Sequence, residues 1–387
     1  MYKILTLNNI SVAGLERLPR ERYEIASEIQ HPDAILLRSF KMHEMEIPAT
    51  LKAVGRAGAG VNNIPVEKMS QRGIPVFNAP GANANAVKEL VLAGMFLAAR
   101  NICQAWQYTC ALEGDDAQLS KAVEEGKKKF AGFELPGRTL GVVGLGAIGA
   151  SVANAASALG MKVIGYDPTI TVQSAWRLSS AVEQAHSIDD MVRQCDFITF
   201  HVPLMEATRN MLNEARIQAM PAGAVVLNFA RDGVVDDEAV CAALEAGHLH
   251  AYVTDFPTNA LKGRKGVITL PHLGASTQEA EDNCAIMVAD QVRDFLENGN
   301  IRNSVNFPEV VMPRTDGARL AIANSNVPNM VGQISTALAE AGLNIKDLLN
   351  KSKGEVAYTL VDVEGEISDV VVEQIKAIDG VLSVRVL

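Results

Sequence analysis

The chain of 387 residues is long enough for two or three domains, and 48% hydrophobic with 21% charged residues describes an ordinary core-forming protein. Its net charge of −10 argues against nonspecific binding of nucleic acid or anionic membranes. No apolar run reaches the roughly 18 residues of a membrane span, and Met1–Leu7 lacks a basic, long apolar signal region. The five cysteines (Cys103, Cys110, Cys195, Cys241, Cys284) are too scattered for a disulfide frame or metal site, so a reducing cytoplasm and no metal are expected.

Residues 1 to about 97 alternate short apolar strands with helical stretches. The strands are expected at Lys3–Leu7, Ala34–Leu37, Lys52–Val54 and Pro75–Phe77, and turn residues such as Gly14, Pro19, Pro32 and Pro65 punctuate the segments between them. A long apolar helix follows over Val87–Ala99. The polar, lysine-rich stretch from Gly114 to Gly137 reads as a surface connection, with Lys127-Lys128-Lys129 either a solvated face or a patch that draws in a phosphorylated substrate.

A glycine run follows, Gly144-Leu145-Gly146-Ala147-Ile148-Gly149. The strand Arg138–Val143 precedes it and a small-residue helix, Ala150–Leu159, follows it. Asp167 ends the next strand, Lys162–Tyr166. This is a dinucleotide-binding fingerprint in its required context. The first glycine permits a tight turn, the second lets backbone approach a pyrophosphate, and the third lets helix pack on strand. The helix N-terminus offers unpaired N–H groups to the phosphates. Asp167 suits two ribose hydroxyls and repels a 2′-phosphate, which favours NAD over NADP.

Further strands are expected at Phe197–His201, Ala224–Asn228, Ala251–Thr254 and Val267–Leu270, with helices at Ile188–Arg193, Asn213–Ala219 and Asp237–Ala246. In an open α/β sheet, ligands sit beyond the carboxyl ends of the strands. His201 and Pro203, then Ala230, Arg231 and Asp232, then Asp255, then His272 all fall there. Arg231 offers a permanent charge and a fork of donors for a carboxylate. His272 is the residue type for taking a hydroxyl proton near neutral pH. Asp255 suits a nicotinamide carboxamide or a turn cap.

A helix from about Thr277 to Leu296 crosses back toward the first domain. Asn303–Gly317 reads as a prolyl linker. The last 70 residues read β-α-β-β-α-β, a ferredoxin-like domain.

Six segments carry a family resemblance: Arg56–Val61, Gly81-Ala82-Asn83, Glu89-Leu90, Gly144–Gly149, Asn228–Asp236 and Pro271–Thr277. On these the chain resembles the D-isomer-specific 2-hydroxyacid dehydrogenases, along essentially its whole length. The resemblance implies a Rossmann nucleotide domain (98–278) inserted in a flavodoxin-like substrate domain (1–97 and 279–305). A linker (306–317) and a ferredoxin-like domain (318–387) complete the chain.

The implied reaction is NAD-dependent oxidation of 3-phospho-D-glycerate to 3-phosphohydroxypyruvate, which opens L-serine biosynthesis. Arg231 would bind substrate electrostatically and His272 would act as acid/base. Arg38, Ser39, Ala59, Gly60, Val61 and Asn83 would contact substrate. Gly144, Gly146, Ala147, Ile148, Gly149, Asp167, His201, Pro203, Ala230, Asp255 and Gly274 would hold NAD. A homodimer or homotetramer is expected.

The segment Asp255–Leu261 lacks the glutamate that relatives pair with the histidine. The alternatives are a reductase of hydroxypyruvate or glyoxylate, and a non-catalytic NAD-sensing protein of the same fold. The last domain resembles the ACT regulatory module. Its Asn324–Asn329 keeps the Asn326 and Pro328 of that module's His-x-Asn-x-Pro-Gly motif, which implies L-serine feedback through Asn326.

Overall fold

The computed structural model describes residues 1–387. Its contacts separate two compact units, Met1–Ala82 with Gln278–Leu387, and Asn83–Thr277. No helix is long and apolar enough to cross a membrane.

The first unit begins with β1 (Tyr2–Leu7), β2 (Tyr23–Ala26), β3 (Ala34–Leu37), β4 (Ala53–Arg56) and β5 (Val76–Phe77). They form one parallel sheet in the order β2-β1-β3-β4-β5, the flavodoxin-like arrangement. β3 is buried along its whole length, as expected of a strand covered on both faces. β2 is absent from the sequence expectation: its single fully buried residue, Tyr23, leaves almost no apolar pattern.

The second unit holds β6 (Thr139–Val143), β7 (Lys162–Tyr166), β8 (Val182–Gln184), β9 (Phe197–Phe200), β10 (Ala224–Asn228), β11 (Leu249–Thr254) and β12 (Val267–Thr269). Their order is β12-β11-β10-β9-β6-β7-β8, all parallel. Strand order reverses between β6 and β9, which is where a doubly wound sheet opens a crevice for a ligand.

Two expectations change here. The long helix runs Ala84–Ala99 and belongs to this unit, so the boundary falls at 82/83 and not at 97/98. Val87, Val91, Met95 and Ala98 explain why: they pack into the same core as Leu140, Phe197 and Leu227. The stretch 114–137 is also more than a connection. It contains a helix, Asp116–Gly126, opened by a capping box in which the Asp115 side chain accepts from Gln118 N and Asp115 N donates to Gln118 Oε1, and then a 3-10 turn over Lys127–Phe130.

The Gln278–Asn298 helix returns the chain to the first unit. Its buried face (Cys284, Val288, Val292, Phe295, Leu296) packs with Ile4, Leu36 and Phe77. The last segment folds as β13 (Ala318–Ser325), β14 (Ile345–Lys353), β15 (Val356–Val363) and β16 (Val381–Val386), with helices Met330–Glu340 and Asp369–Lys376. The antiparallel order β14-β15-β13-β16 is the ferredoxin-like one anticipated.

This sheet is nevertheless no separate compact unit. Ala321, Ala323, Tyr358 and Leu360 share a core with Tyr23, Phe77 and Phe295. The expected linker is buried too: Phe307, Val310 and Met312 are at most 3% exposed, and Ser304 bridges to Phe77. Proline content signals irregular backbone, which packs as readily as regular backbone when it carries large apolar side chains.

Candidate active site

The glycine loop follows β6. Gly144 has φ +86°, and a Cβ there would lie 2.6 Å from the carbonyl of His201 on the neighbouring strand end. Gly149 is barred from a side chain differently: its Cβ would stand 1.8 Å from Gly144 O, so helix and strand touch through backbone. Gly146 has no atom within 4 Å of an added Cβ and φ −68°. Fold geometry does not require glycine at that position, so its bareness suits a close-approaching ligand.

Gly146 is also the N-cap of the Ala147–Ala158 helix and supplies no side-chain cap. The helix's first N–H groups are thus left for an anion. Asp167, at the end of β7, accepts from Leu145 N at 2.9 Å and, through its other oxygen, from Thr169 N at 2.9 Å. The acid of the fingerprint therefore fixes the glycine loop.

On the other side of the reversal, His201 N donates to Val143 O at 2.7 Å. Its Nε2 lies 3.1 Å from Thr199 Oγ1, and its Nδ1 is buried without a partner. Burial pushes the His201 pKa down to about 3, so the imidazole is neutral and suits a subsite beside a phosphorylated ligand only as a hydrogen-bonding group. Pro203 accepts Thr208 Oγ1 at 2.6 Å and shapes the following turn.

Three adjacent strands, β10, β11 and β12, deliver Arg231, Asp255 and His272 beyond their carboxyl ends. The turn after β10 is held by Asn228, 2% exposed, whose Oδ1 accepts from Ala230 N at 3.2 Å and whose Nδ2 donates to Arg231 O at 3.0 Å. The guanidinium of Arg231 donates to Ala230 O at 2.7 Å and is otherwise exposed. Asp255 is 1% exposed; its Oδ2 accepts from Gly274 N at 3.1 Å while Oδ1 is buried with no partner. Burial raises its pKa, opposed by the Gly274 hydrogen bond and by the positive fields of His272 and Arg231. The carboxylate thus sits within electrostatic reach of both.

His272 has φ +50°, a conformation rare for a non-glycine residue and often found at functional positions. Its N–H lies 3.0 Å from Asp255 O and 3.1 Å from Leu270 O. The exposed imidazole packs on Phe256, ring centroids 5.0 Å apart at 57°.

In the first unit, the Arg56–Val61 loop is set by Ala57 N donating to Leu37 O (2.8 Å) and by Asn78 Nδ2 donating to Ala59 O (2.6 Å). Ala59, Gly60 and Val61 are each half-buried. Asn63 Nδ2 bonds Arg38 O (3.1 Å) and Phe40 O (2.7 Å), and Ser39 N donates to Asn8 Oδ1 at 3.2 Å. Asn83 starts the Ala84–Ala99 helix in the other unit, with a buried, unpartnered Oδ1.

Residues 92–274 match the NAD-binding domain of the D-isomer specific 2-hydroxyacid dehydrogenases. The chain is 34% identical to a Haemophilus influenzae D-3-phosphoglycerate dehydrogenase over 89% of its own length and 83% of that protein's. It is 31% identical to the Escherichia coli K12 protein of the same name, over 87% and 82%. The chain belongs to the D-isomer specific 2-hydroxyacid dehydrogenase family. Among solved structures, a cofactor (NAD+)-bound 3-phosphoglycerate dehydrogenase from Entamoeba histolytica matches with a TM-score of 0.60 and 26% identity, over 79% of this chain and 98% of that one.

As a member of this family the protein is an NAD-dependent dehydrogenase, and its residues fit the cofactor. Bare Gly146 and the uncapped helix suit the pyrophosphate, Asp167 the adenosine ribose, and the unpartnered Asp255 Oδ1 an amide donor such as the nicotinamide carboxamide. Sequence reading missed Asn228, Asn63, Asn78 and Phe256. All four act through backbone hydrogen bonds or ring packing, and an asparagine gives no periodic signal of such a role.

Proposed function

We propose that this enzyme oxidises 3-phospho-D-glycerate to 3-phosphohydroxypyruvate, the opening step of L-serine biosynthesis. The convergence of Arg231, Asp255 and His272 beyond three adjacent strands carries this reading. Arg231 holds the substrate carboxylate and polarises the C2 oxygen. His272 takes the C2 hydroxyl proton in oxidation and returns it in reduction. NAD, when bound, supplies the acceptor for the C2 hydride. Phe256 fixes the plane of the imidazole, a task that the family's glutamate performs through a hydrogen bond. Arg38, Ser39, Ala59, Gly60, Val61 and Asn83 bind the rest of the substrate.

The C-terminal sheet is the regulatory element in this proposal, with L-serine at Asn326. That residue is tied to the β14–β15 turn, N to Glu355 O at 2.8 Å and Nδ2 to Gly354 O at 3.0 Å. Asn329 adopts φ +65°, the left-handed conformation that glycine supplies in the resembled motif. Calorimetric titration with L-serine tests this role. A homodimer in the cytoplasm completes the reading; exposed Phe96, Ile102 and Trp106 offer it an apolar face.

NADH oxidation followed with 3-phosphohydroxypyruvate, hydroxypyruvate and glyoxylate decides the substrate. The highest kcat/KM is expected for the phosphorylated acid. A preference for glyoxylate reassigns the enzyme within its family, and silence with all three overturns the catalytic assignment of Arg231 and His272.

A further inference from the structure

In the first unit, Arg38 Nη1 lies 2.6 Å from Glu281 Oε1, and the two side chains are 37% and 39% exposed. The backbone beneath Arg38 is fixed, because its carbonyl accepts from both Arg56 Nε and Asn63 Nδ2 at 3.1 Å. Its guanidinium is not fixed, since a half-exposed ion pair exchanges readily with water and other anions.

Glu281 stands in the first turn of the Gln278–Asn298 helix, where the helix dipole stabilises a carboxylate without help from a cation. Glu281 is therefore not stranded when Arg38 leaves it. A third observation places more charge at the same point. Buried Cys284, one turn along that helix, has its thiol pKa raised by burial, pulled down by Arg38 and Arg56, and pushed up by Glu281. Two cations and one anion converge there.

We propose that Glu281 is a specificity-determining residue that competes with the anionic substrate for Arg38. The proposal rests on the reading above, in which Arg38 binds substrate and Arg231 holds the carboxylate. Arg38 is then left for the phosphate. A phosphate monoester carries about −1.5 to −2 charges near neutral pH. It gains from Arg38 but must displace Glu281 and then sit beside it. A small 2-oxo acid, whose one charge is spent on Arg231, does not meet that carboxylate. Glu281 thus sets how strongly the enzyme prefers phosphorylated over unphosphorylated acids.

The test compares wild type, Glu281→Gln and the double variant Arg38→Met/Glu281→Gln. Glu281→Gln should lower KM for 3-phosphohydroxypyruvate about two- to fivefold, as expected of one partly solvated charge, and leave KM for glyoxylate unmoved. Thermal-shift titration with inorganic phosphate should show tighter binding to Glu281→Gln than to wild type, lost in the double variant. A rise in KM for the phosphorylated substrate would show that Glu281 holds Arg38 in place, and it overturns the proposal. So does an equal fall for both substrates, or phosphate affinity indifferent to Glu281. If 3-phosphohydroxypyruvate is not turned over while phosphate binding still tightens through Arg38, the substrate assignment fails and the competition stands.

Discussion

In the proposed reaction, Arg231 and His272 divide the chemistry by their own physics. A guanidinium keeps its charge at every working pH and can hold an anion permanently, whereas an imidazole can give and take a proton. Arg231 follows a strand buried to its last residue and its carbonyl accepts from Asn228, while His272 N lies within hydrogen-bond distance of Asp255 O; both side chains stay exposed. Arg231→Ala should cut kcat/KM by at least about a hundredfold, the usual cost of one electrostatic stabilising group, while NADH affinity measured by fluorescence stays near wild type. Loss of NADH binding in that variant would mean that Arg231 shapes the nucleotide pocket instead. Asp255 differs from both. Its buried, half-satisfied carboxylate only makes sense beside a donor, and burial holds its pKa up against the pull of its neighbours.

At the scale of elements, the three glycines of the loop look alike in sequence and differ in physics. Gly146→Ala adds a methyl group to open space at an ordinary φ, so stability should change by less than about 0.5 kcal/mol. Its NADH affinity should drop at least about tenfold, a loss of about 1.4 kcal/mol. Gly149→Ala drives a methyl into Gly144 O and should cost more than about 2 kcal/mol of stability, measured by urea unfolding. Equal stability losses in the two variants would refute the assignment of Gly146 to the ligand. The fingerprint, its strand and its acid were legible because glycine, apolar runs and spacing are local signals. β2, β8 and the Asp116–Gly126 helix were not. The first two carry almost no buried apolar pattern, and the third announces itself only through the Asp115/Gln118 box. The placing of Arg231, Asp255 and His272 beyond strand ends was legible, but the role of Asn228 in holding the Arg231 backbone was not.

At the scale of the molecule, the C-terminal sheet is bolted to the unit that it joins. Arg319, 0% exposed, pairs with Asp362 at 2.5 Å and donates to Asn298 O, Met312 O and Pro313 O. Arg385 donates to Phe295 O and Leu296 O, and Tyr358 to Gly299 O. The bonds to Phe295, Leu296 and Asn298 reach carbonyls in the last turn of the Gln278–Asn298 helix, and the others tie down the segment after it. Burial pushes the Asp362 pKa up, but its bonds from Arg319 and Thr315 outweigh this and leave it below the ordinary value. A carboxyl whose pKa is lowered on folding stabilises the fold above the unfolded value of about 3.9, and that stability is lost as pH falls through the folded value. Thermal unfolding from pH 7 to 3 should therefore show an acid-side loss that is shallower in Asp362→Asn. Identical profiles would remove Asp362 from that role. Breaking the pair by Arg319→Met should cost about 3–5 kcal/mol.

The division of the first unit between residues 1–82 and 278–387 has a consequence for how the chain is made. On the ribosome, β1 to β5 emerge long before the helix that covers them, whereas Asn83–Thr277 is complete within itself. Domains fold as units during synthesis, so the inserted unit should mature first. The amino-terminal sheet must wait, with Ile4, Leu36 and Phe77 uncovered, until the last third of the polypeptide arrives. Translation arrest before that point would leave an active-looking nucleotide fold attached to a strand edge prone to aggregate.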